Sequence, residues 1–288
     1  MSQRTAIKDI LFQNRLSPKK RYGQNFLVQP NTARQIVEKA HIGLDDTILE
    51  LGVGFGALTR FIADCAKKVI GLEIDAGIVR WHEEQADLPE NVFLRHEDFL
   101  AADFIRLAEE SGGQLKIVAN LPYSVSSPLL FKVIEAREAV AWAVFMLQKE
   151  VAQRLTAPLG TKEYGILSVL FGACAEIETL MEIHPAQFHP RPKVFSRVVL
   201  ITLNPEPPAV LAFPPYNRQI FTALVKAAFQ QRRKMVLNSL SSAMVLDLGK
   251  EKVEACLNQA KIPPTLRPER MEVKDFINLA RAYEEISP

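Results

Sequence analysis

Cysteine is scarce in this sequence. Cys65, Cys174 and Cys256 are the only three in 288 residues, far apart and without CxxC or Cys/His spacing. That argues against a disulfide framework and a cysteine zinc site, and it fits a reducing compartment. Long apolar runs are missing too: the longest, Ala139 to Leu147, is too short to cross a bilayer. No signal peptide is legible, and the Arg-bearing start MSQRTAIKDILFQNR lacks the processing pattern of a mitochondrial presequence. The expected setting is therefore the cytoplasm, with no membrane partner. The glycine-rich loop at residues 52–56 is not followed by a Lys-Ser/Thr pair, which excludes a P-loop.

What is present is ordinary globular composition, 48% hydrophobic and 24% charged, in a chain long enough for one large or two unequal domains. The net charge of +2 conceals a segregation. Residues 1–22 carry six Lys/Arg against one Asp, residues 23–180 carry 14 against 22 acidic side chains, and residues 181–288 carry 15 against 10. An acidic middle between two basic ends suits a polyanionic partner gripped from two sides. A solvated charge pattern without a partner is the alternative.

From residue 31 onward, helical stripes alternate with short apolar strands. Asn31 or Thr32 is expected to cap a first helix through Ile36, Val37 and Ala40. Strands are expected at Thr47–Leu51, Lys68–Ile74, Val92–His96 and Leu115–Ala119, with helices through Leu58, Ile62 and Ala66, near 76–86 and at 103–110. Such alternation predicts an α/β fold, a doubly wound, mostly parallel sheet with helices on both faces. Trp142–Leu147 and Arg197–Leu203 read as later strands. NPEPP (204–208) reads as a linker, and beyond it Phe221, Leu224, Val225, Ala228 and Phe229 share one helical face. With helical patterns near 250–259 and 273–286, this gives three parts: a basic arm (1–22), the α/β domain (23–204) and a smaller all-helical domain (205–288).

The expected strands end near Glu50, Glu73, Asp98 and Asn120, spaced by 23, 25 and 22 residues. In a doubly wound sheet, ligands sit at those carboxyl ends. ELGVGFGALTR (50–60) places Gly52, Gly54 and Gly56 between a strand and a helix, in GxGxG rather than dinucleotide GxGxxG spacing. A packing turn without a ligand is the alternative reading of such a loop. Glu73 can accept from ribose hydroxyls. Asp98 suits an adenine amino group, or simply N-caps the next helix. A mononucleoside-like cofactor without phosphates unites these strand ends.

VANLPYSVSSPLL (118–130) ends a buried strand in an amide, a proline and an aromatic ring. An Asn-Leu-Pro turn needs no Tyr. An adenine N6 amine does need two acceptors to orient its lone pair, and the Asn120 side-chain oxygen and the Leu121 carbonyl are available. Pro122 stiffens that carbonyl, and Tyr123 offers a face for a flipped-out base.

RYGQNFL (21–27), ELGVGFGALT (50–59), LEID (72–75), DFL (98–100), NLPYSVSSP (120–128), FHPRPKVFS (188–196) and AFQQRRKMVLNSL (228–240) occur in this order. Over nearly its whole length the chain resembles the small-subunit ribosomal RNA adenine dimethyltransferases of KsgA type. The resemblance implies a Rossmann-like class I methyltransferase fold and S-adenosylmethionine as methyl donor. It implies two adjacent adenosines near the 3′ end of 16S RNA, in the small ribosomal subunit, as acceptors. By the same resemblance Asn25 and Leu27 form an N-terminal clasp on the cofactor and Gly52 lies beneath its amino-acid end. Glu73 holds the ribose, Asp98 the adenine, and Phe188 closes the second face of the target base. Glu97 departs from the glycine usual before that Asp. No metal is expected, because the sulfonium is already electrophilic.

Lys19, Lys20 and Arg21, Arg191 and Lys193, and Arg232, Arg233 and Lys234 on a C-terminal helix are the candidate phosphate contacts. Solvated helix faces are the plainer reading of such clusters. The protein is expected to act as a monomer. NLPY rather than NIPY, together with AFQQRRK, favours the small-subunit family over the 23S RNA adenine methyltransferases of macrolide resistance. A nicotinamide dehydrogenase is disfavoured by the loop spacing. A non-catalytic ribosome-assembly factor is disfavoured by an intact Asn120 and Glu73.

Overall fold

The computed structural model describes residues 10–12, 18, 23–203, 215–243 and 249–286. Lys19, Lys20, Arg21, most of the basic arm and the NPEPP segment lie outside the described residues. In chain order the elements are β1 (Phe26–Leu27), α1 (Pro30–Lys39), β2 (Thr47–Leu51), α2 (Thr59–Ala63), β3 (Lys68–Glu73), α3 (Ala76–Gln85) and β4 (Val92–His96). Then follow α4 (Phe104–Ser111), β5 (Leu115–Asn120), a 3-10 turn (Tyr123–Val125), α5 (Ser126–Glu135), β6 (Val140–Gln148), α6 (Lys149–Leu155) and α7 (Ile166–Gly172). The chain continues through β7 (Ala175–Ile183), β8 (Phe188–His189) and β9 (Ser196–Leu203), then α8 (Arg218–Gln230), α9 (Val236–Ser241), α10 (Lys250–Gln259) and α11 (Val273–Ile286).

Seven strands form one sheet in the order β4-β3-β2-β5-β6-β9-β7. The run from β4 to β6 is parallel, and β9 returns antiparallel to β6. Ile48, Val69, Val118, Val144 and Val198 pack in one cluster with Ala33, Ile36 and Val37 of α1 and Ile62 of α2. Their strand neighbours Leu49, Ile70, Ile117 and Phe145, which point to the opposite face, are as deeply buried. Both faces are therefore covered, which is why these strands read as continuous apolar runs. Burial of each large aliphatic side chain contributes about 1.5–3 kcal/mol.

The chain winds outward from β2 to β3 and β4, then crosses to β5 on the other side of β2. The carboxyl ends of β2 and β5 thus flank the switch point where a doubly wound sheet opens a crevice. Gly71 in β3 lets the loop after β2 settle there: a Cβ on it would lie 2.6 Å from Val53 Cγ2.

Local chemistry sets several boundaries. Asp75 caps α3 by accepting from the Gly77 amide, and Asp103 caps α4 through Ile105 and Arg106. The first helix departs from expectation: it starts at Pro30 after an uncapped Gln29, because proline at the first helical position needs no amide partner. β7 was not anticipated. Its AEIETLMEI interleaves charged residues with apolar ones, as a half-exposed edge strand does.

The chain divides into two compact units. One runs to Ala152 and includes Ile177–Leu203; the other comprises Gln153–Glu176 and the described residues from 215 onward. Residues 153–176, which the sequence suggested belong with the sheet, instead complete the helical unit. Within that unit Tyr164 Oη donates to the Met271 carbonyl at 2.8 Å, and Phe229 stacks on Phe276 at 6.0 Å.

The same unit corrects a further expectation. Arg232, Arg233 and Lys234 lie in the turn after α8, not on a helix. Arg232 turns inward: its Nη2 donates to the carbonyls of Thr161 (3.0 Å) and Tyr164 (2.7 Å), and Glu269 lies 3.6 Å from its Nε. It is a strut of the helical unit, with Nη2 committed to the 161–164 loop rather than to solvent. Arg233 and Lys234 are exposed. Arg232→Ala should therefore lower stability by about 1–3 kcal/mol, whereas Arg233→Ala and Lys234→Ala should change it by no more than about 0.5 kcal/mol. Thermal denaturation followed by circular dichroism checks the contrast, and equal effects would refute it.

Candidate active site

A cleft opens at the switch point, lined among others by Asn25, Leu27, Glu50, Gly52, Gly54, Glu73, Phe99, Asn120 and Pro122. It lies where β2, β3 and β5 end, the place where a doubly wound sheet takes its ligands. Cleft residues Asn25 and Leu27 arrive from the N-terminal side. Leu27 pairs with Phe188 and Phe26 with His189 in the two-stranded β1–β8 ribbon, and Val28 N donates to Gln187 O. Gln24 Nε2 reaches Asp75 Oδ2 at 3.2 Å, tying this segment to the cap of α3.

Glu73 organises the floor. Its Oε2 accepts from the Gly54 amide at 2.9 Å and its Oε1 from the Asp75 amide at 2.8 Å. Burial pushes its carboxyl above the usual range, while the Asp75, Gly54 and Ile74 amides pull it back. A carboxylate has about four lone-pair sites, so these amides leave room for a further donor. Gly54 has φ +55°, and a Cβ there would press to 3.3 Å on the Phe26 ring. At Gly52 an added Cβ would meet nothing within 4 Å, so the backbone there faces open cleft.

Glu50 was named in the sequence as a polar strand end but not as a site residue. It is 1% exposed, lines the cleft, and its Oε2 has no hydrogen-bond partner. Burial pushes its carboxyl up to about 8; the neighbouring Thr59 hydroxyl lowers it and the Glu73 charge raises it further. A glutamate inside an apolar strand was the available signal.

Asn120 ends β5 with its side-chain nitrogen engaged: Nδ2 donates to the Asn25 carbonyl at 3.1 Å. The amide is thereby oriented, leaving Oδ1 as an acceptor. Leu121 is buried, and Pro122 has the extended ψ of 135° that leads into the 3-10 turn. Tyr123 is half-buried and its hydroxyl lies 2.9 Å from Ser196 Oγ.

Two predicted residues sit elsewhere than expected. Asp98 is not among the residues lining the cleft; its Oδ1 accepts from the Leu100 amide at 2.8 Å, shaping the turn that delivers Phe99. Lys132 of α5 anchors the same turn through the Leu100 (2.8 Å) and Ala102 carbonyls. Phe188 is 1% exposed within the main apolar cluster. As β8 pairs with β1 its ring is drawn into the core, so it has no free face for a base. This corrects its expected stacking role. Arg191 and Lys193 are exposed between β8 and β9.

The family model described as ribosomal RNA adenine dimethylase matches residues 15–285. The chain belongs to that family. Among the relatives of this adenine dimethylase is the protein named ribosomal RNA small subunit methyltransferase A of Desulfotalea psychrophila. The two are 48% identical over 96% of this chain and 94% of the relative. Two solved structures share the fold. One is a dimethyladenosine transferase from Plasmodium falciparum: TM-score 0.70, 24% identity, 91% of this chain and 98% of that one. The other is the 23S rRNA methyltransferase ErmE: TM-score 0.62, 24% identity, 90% and 99%.

Two outcomes follow from the buried carboxylates. Glu73→Ala should weaken nucleoside-cofactor binding by about 1.5–3 kcal/mol, read by calorimetry. It should also lower the melting temperature, since the Gly54 and Asp75 amides lose their acceptor; a fully stable variant with unchanged affinity would sink the assignment. Glu50 retains its proton in the fold between the ordinary 4.5 and about 8. Its contribution to stability therefore falls as pH rises through that window. In the ligand-free protein the melting-temperature advantage of Glu50→Gln over the parent should grow across the same window. A constant difference would contradict it.

Proposed function

We propose that this family member dimethylates N6 of two adjacent adenosines near the 3′ end of 16S ribosomal RNA in the small subunit, with S-adenosylmethionine as donor. The observation that carries the reading is the oriented Asn120 amide at the end of β5, beside the cleft formed by Glu50, Gly52 and Glu73. The residues fit the donor. Glu73 keeps acceptor capacity for a ribose, and the open backbone at Gly52 leaves room for an amino-acid tail. The unpartnered Glu50 oxygen, buried at the cleft wall, calls for a cationic or donor group such as an ammonium.

S-adenosylmethionine supplies an electrophilic methyl group on a sulfonium. The protein's own part is to hold the amine. Asn120 Oδ1 and the Leu121 carbonyl accept its two hydrogens, which aims the nitrogen lone pair and stabilises the positive charge developing on it. Tyr123, tethered to Ser196, offers a ring face to the extruded base. The methylated ammonium is strongly acidic, so no dedicated base is required. Arg191 and Lys193, exposed beside this region in sequence, suit phosphate contacts, as do Lys19, Lys20 and Arg21 in the arm.

The small-subunit acceptor is favoured over 23S RNA by NLPY and AFQQRRK in the sequence and by the name of the 48%-identical relative. Action as a monomer in the cytoplasm accords with this reading; no helix among the described residues is long and apolar enough to cross a membrane.

Tritiated methyl transfer to unmethylated small subunits, with large subunits alongside and nucleoside analysis after, tests the proposal. Label should appear as N6,N6-dimethyladenosine in small subunits alone; label confined to large subunits would refute it. Asn120→Ala should retain cofactor affinity within a few fold while transfer drops by roughly two orders of magnitude or more. Near-parental turnover in that variant would make the motif structural.

A further inference from the structure

Behind the glycine loop stands a histidine for which the reaction has no use. His82 of α3 is 3% exposed. Its Nε2 lies 2.8 Å from the Gly54 carbonyl oxygen, and its Nδ1 lies 2.7 Å from Asp87 Oδ1. A carbonyl only accepts hydrogen bonds, and so does an ionised carboxylate, whereas a neutral imidazole has a single N–H to donate. Asp87 is engaged as an anion would be: Arg60 Nη2 approaches its second oxygen at 2.6 Å. The ring has little room to turn away. Trp81 packs on it at 4.7 Å, and the Gly56 Cα is so near that a Cβ there would lie 3.7 Å from His82 Cε1.

We propose that His82 is a positioning residue for cofactor binding, carrying a proton on both ring nitrogens and donating from both. Gly54 is then gripped at its two ends: its amide by Glu73 and its carbonyl by His82. The charged groups facing this network are Asp87 after α3, Arg60 from α2 and Glu73 at the end of β3, while Glu83 and Glu84 of α3 are exposed. A neutral ring keeps its single N–H on the charged acceptor, Asp87, and sets the Nε2 lone pair against the Gly54 carbonyl oxygen. The ring must then shift, and the loop loses its tether. Cofactor affinity accordingly falls when the ring loses either proton. The inference deepens the methyltransferase reading and rests on it, because the loop is taken to cradle S-adenosylmethionine.

Two measurements on the full-length protein decide it. Nitrogen-15 spectra of the labelled histidine ring should show both nitrogens protonated at neutral pH; one pyridine-like nitrogen would overturn the proposal without reference to any ligand. Calorimetry with S-adenosylmethionine across the pH range should show affinity weakening toward alkaline pH in the parent. In Asp87→Asn the dependence should flatten, since the Asn amide can donate to Nδ1 of a neutral ring. Identical pH dependence in parent and Asp87→Asn would refute the positioning role. His82→Gln, unable to span both acceptors, should bind roughly ten- to hundredfold more weakly, as expected on losing a charge-assisted hydrogen bond. Unchanged affinity in a folded His82→Gln protein would also refute it. A parent that binds no S-adenosylmethionine at all would overturn the cofactor reading instead, leaving the nitrogen spectra to judge the double donor.

Discussion

The Glu73 carboxylate, buried at the end of β3, accepts from the amides of Gly54 and Asp75 and so ties the glycine loop to the start of α3. Much of the site depends on this bond pair. Asp75, whose amide it holds, caps α3 with one oxygen and receives Gln24 with the other, which brings in the N-terminal clasp. A buried carboxylate is costly unless its lone pairs are satisfied, and here backbone amides on two separate segments satisfy it. The carboxylate that lines the cleft thus also assembles it, so a change at this residue touches both the site and the fold.

A second fixed point lies across the switch. Asn120 belongs to β5 while its nitrogen is held by the Asn25 carbonyl, a residue 95 positions earlier. An amide free to rotate would present oxygen or nitrogen to an incoming amine with similar ease. Engaging the nitrogen leaves the oxygen forward, which is the polarity needed to accept from an exocyclic amine. A group held in this way is oriented before any ligand arrives. Glu50 is the contrasting case. It is buried beside Glu73 without a hydrogen bond to its Oε2, and burial moves its carboxyl toward the protonated form.

Much of the architecture was legible in the chain because its signals are local. Strands Thr47–Leu51 and Val92–His96 match the expected bounds, and helices Lys250–Gln259 and Val273–Ile286 form where helical patterns were read. The strand-end positions of Glu73 and Asn120 follow from the βα spacing, Gly52 from the glycine loop, and the ordered motifs carried the resemblance to the family. The edge strand β7 was illegible, since its alternation with glutamates imitates a solvated segment. Membership of residues 153–176 in the helical unit was illegible too, because it depends on packing partners such as Met271 and Arg232 that lie far along the chain.

By itself, then, the sequence determined the doubly wound α/β order, the GxGxG loop and the strand-end acids, through side-chain periodicity and backbone sterics that act within a few residues. Only the tertiary structure decided how individual side chains are spent. It drew Phe188 into the core, turned Asp98 to a loop amide, faced Arg232 toward two carbonyls and set His82 between two acceptors. The reason is physical: which partner a polar or aromatic group finds depends on distances between segments remote in sequence, and those distances exist only once the chain has folded.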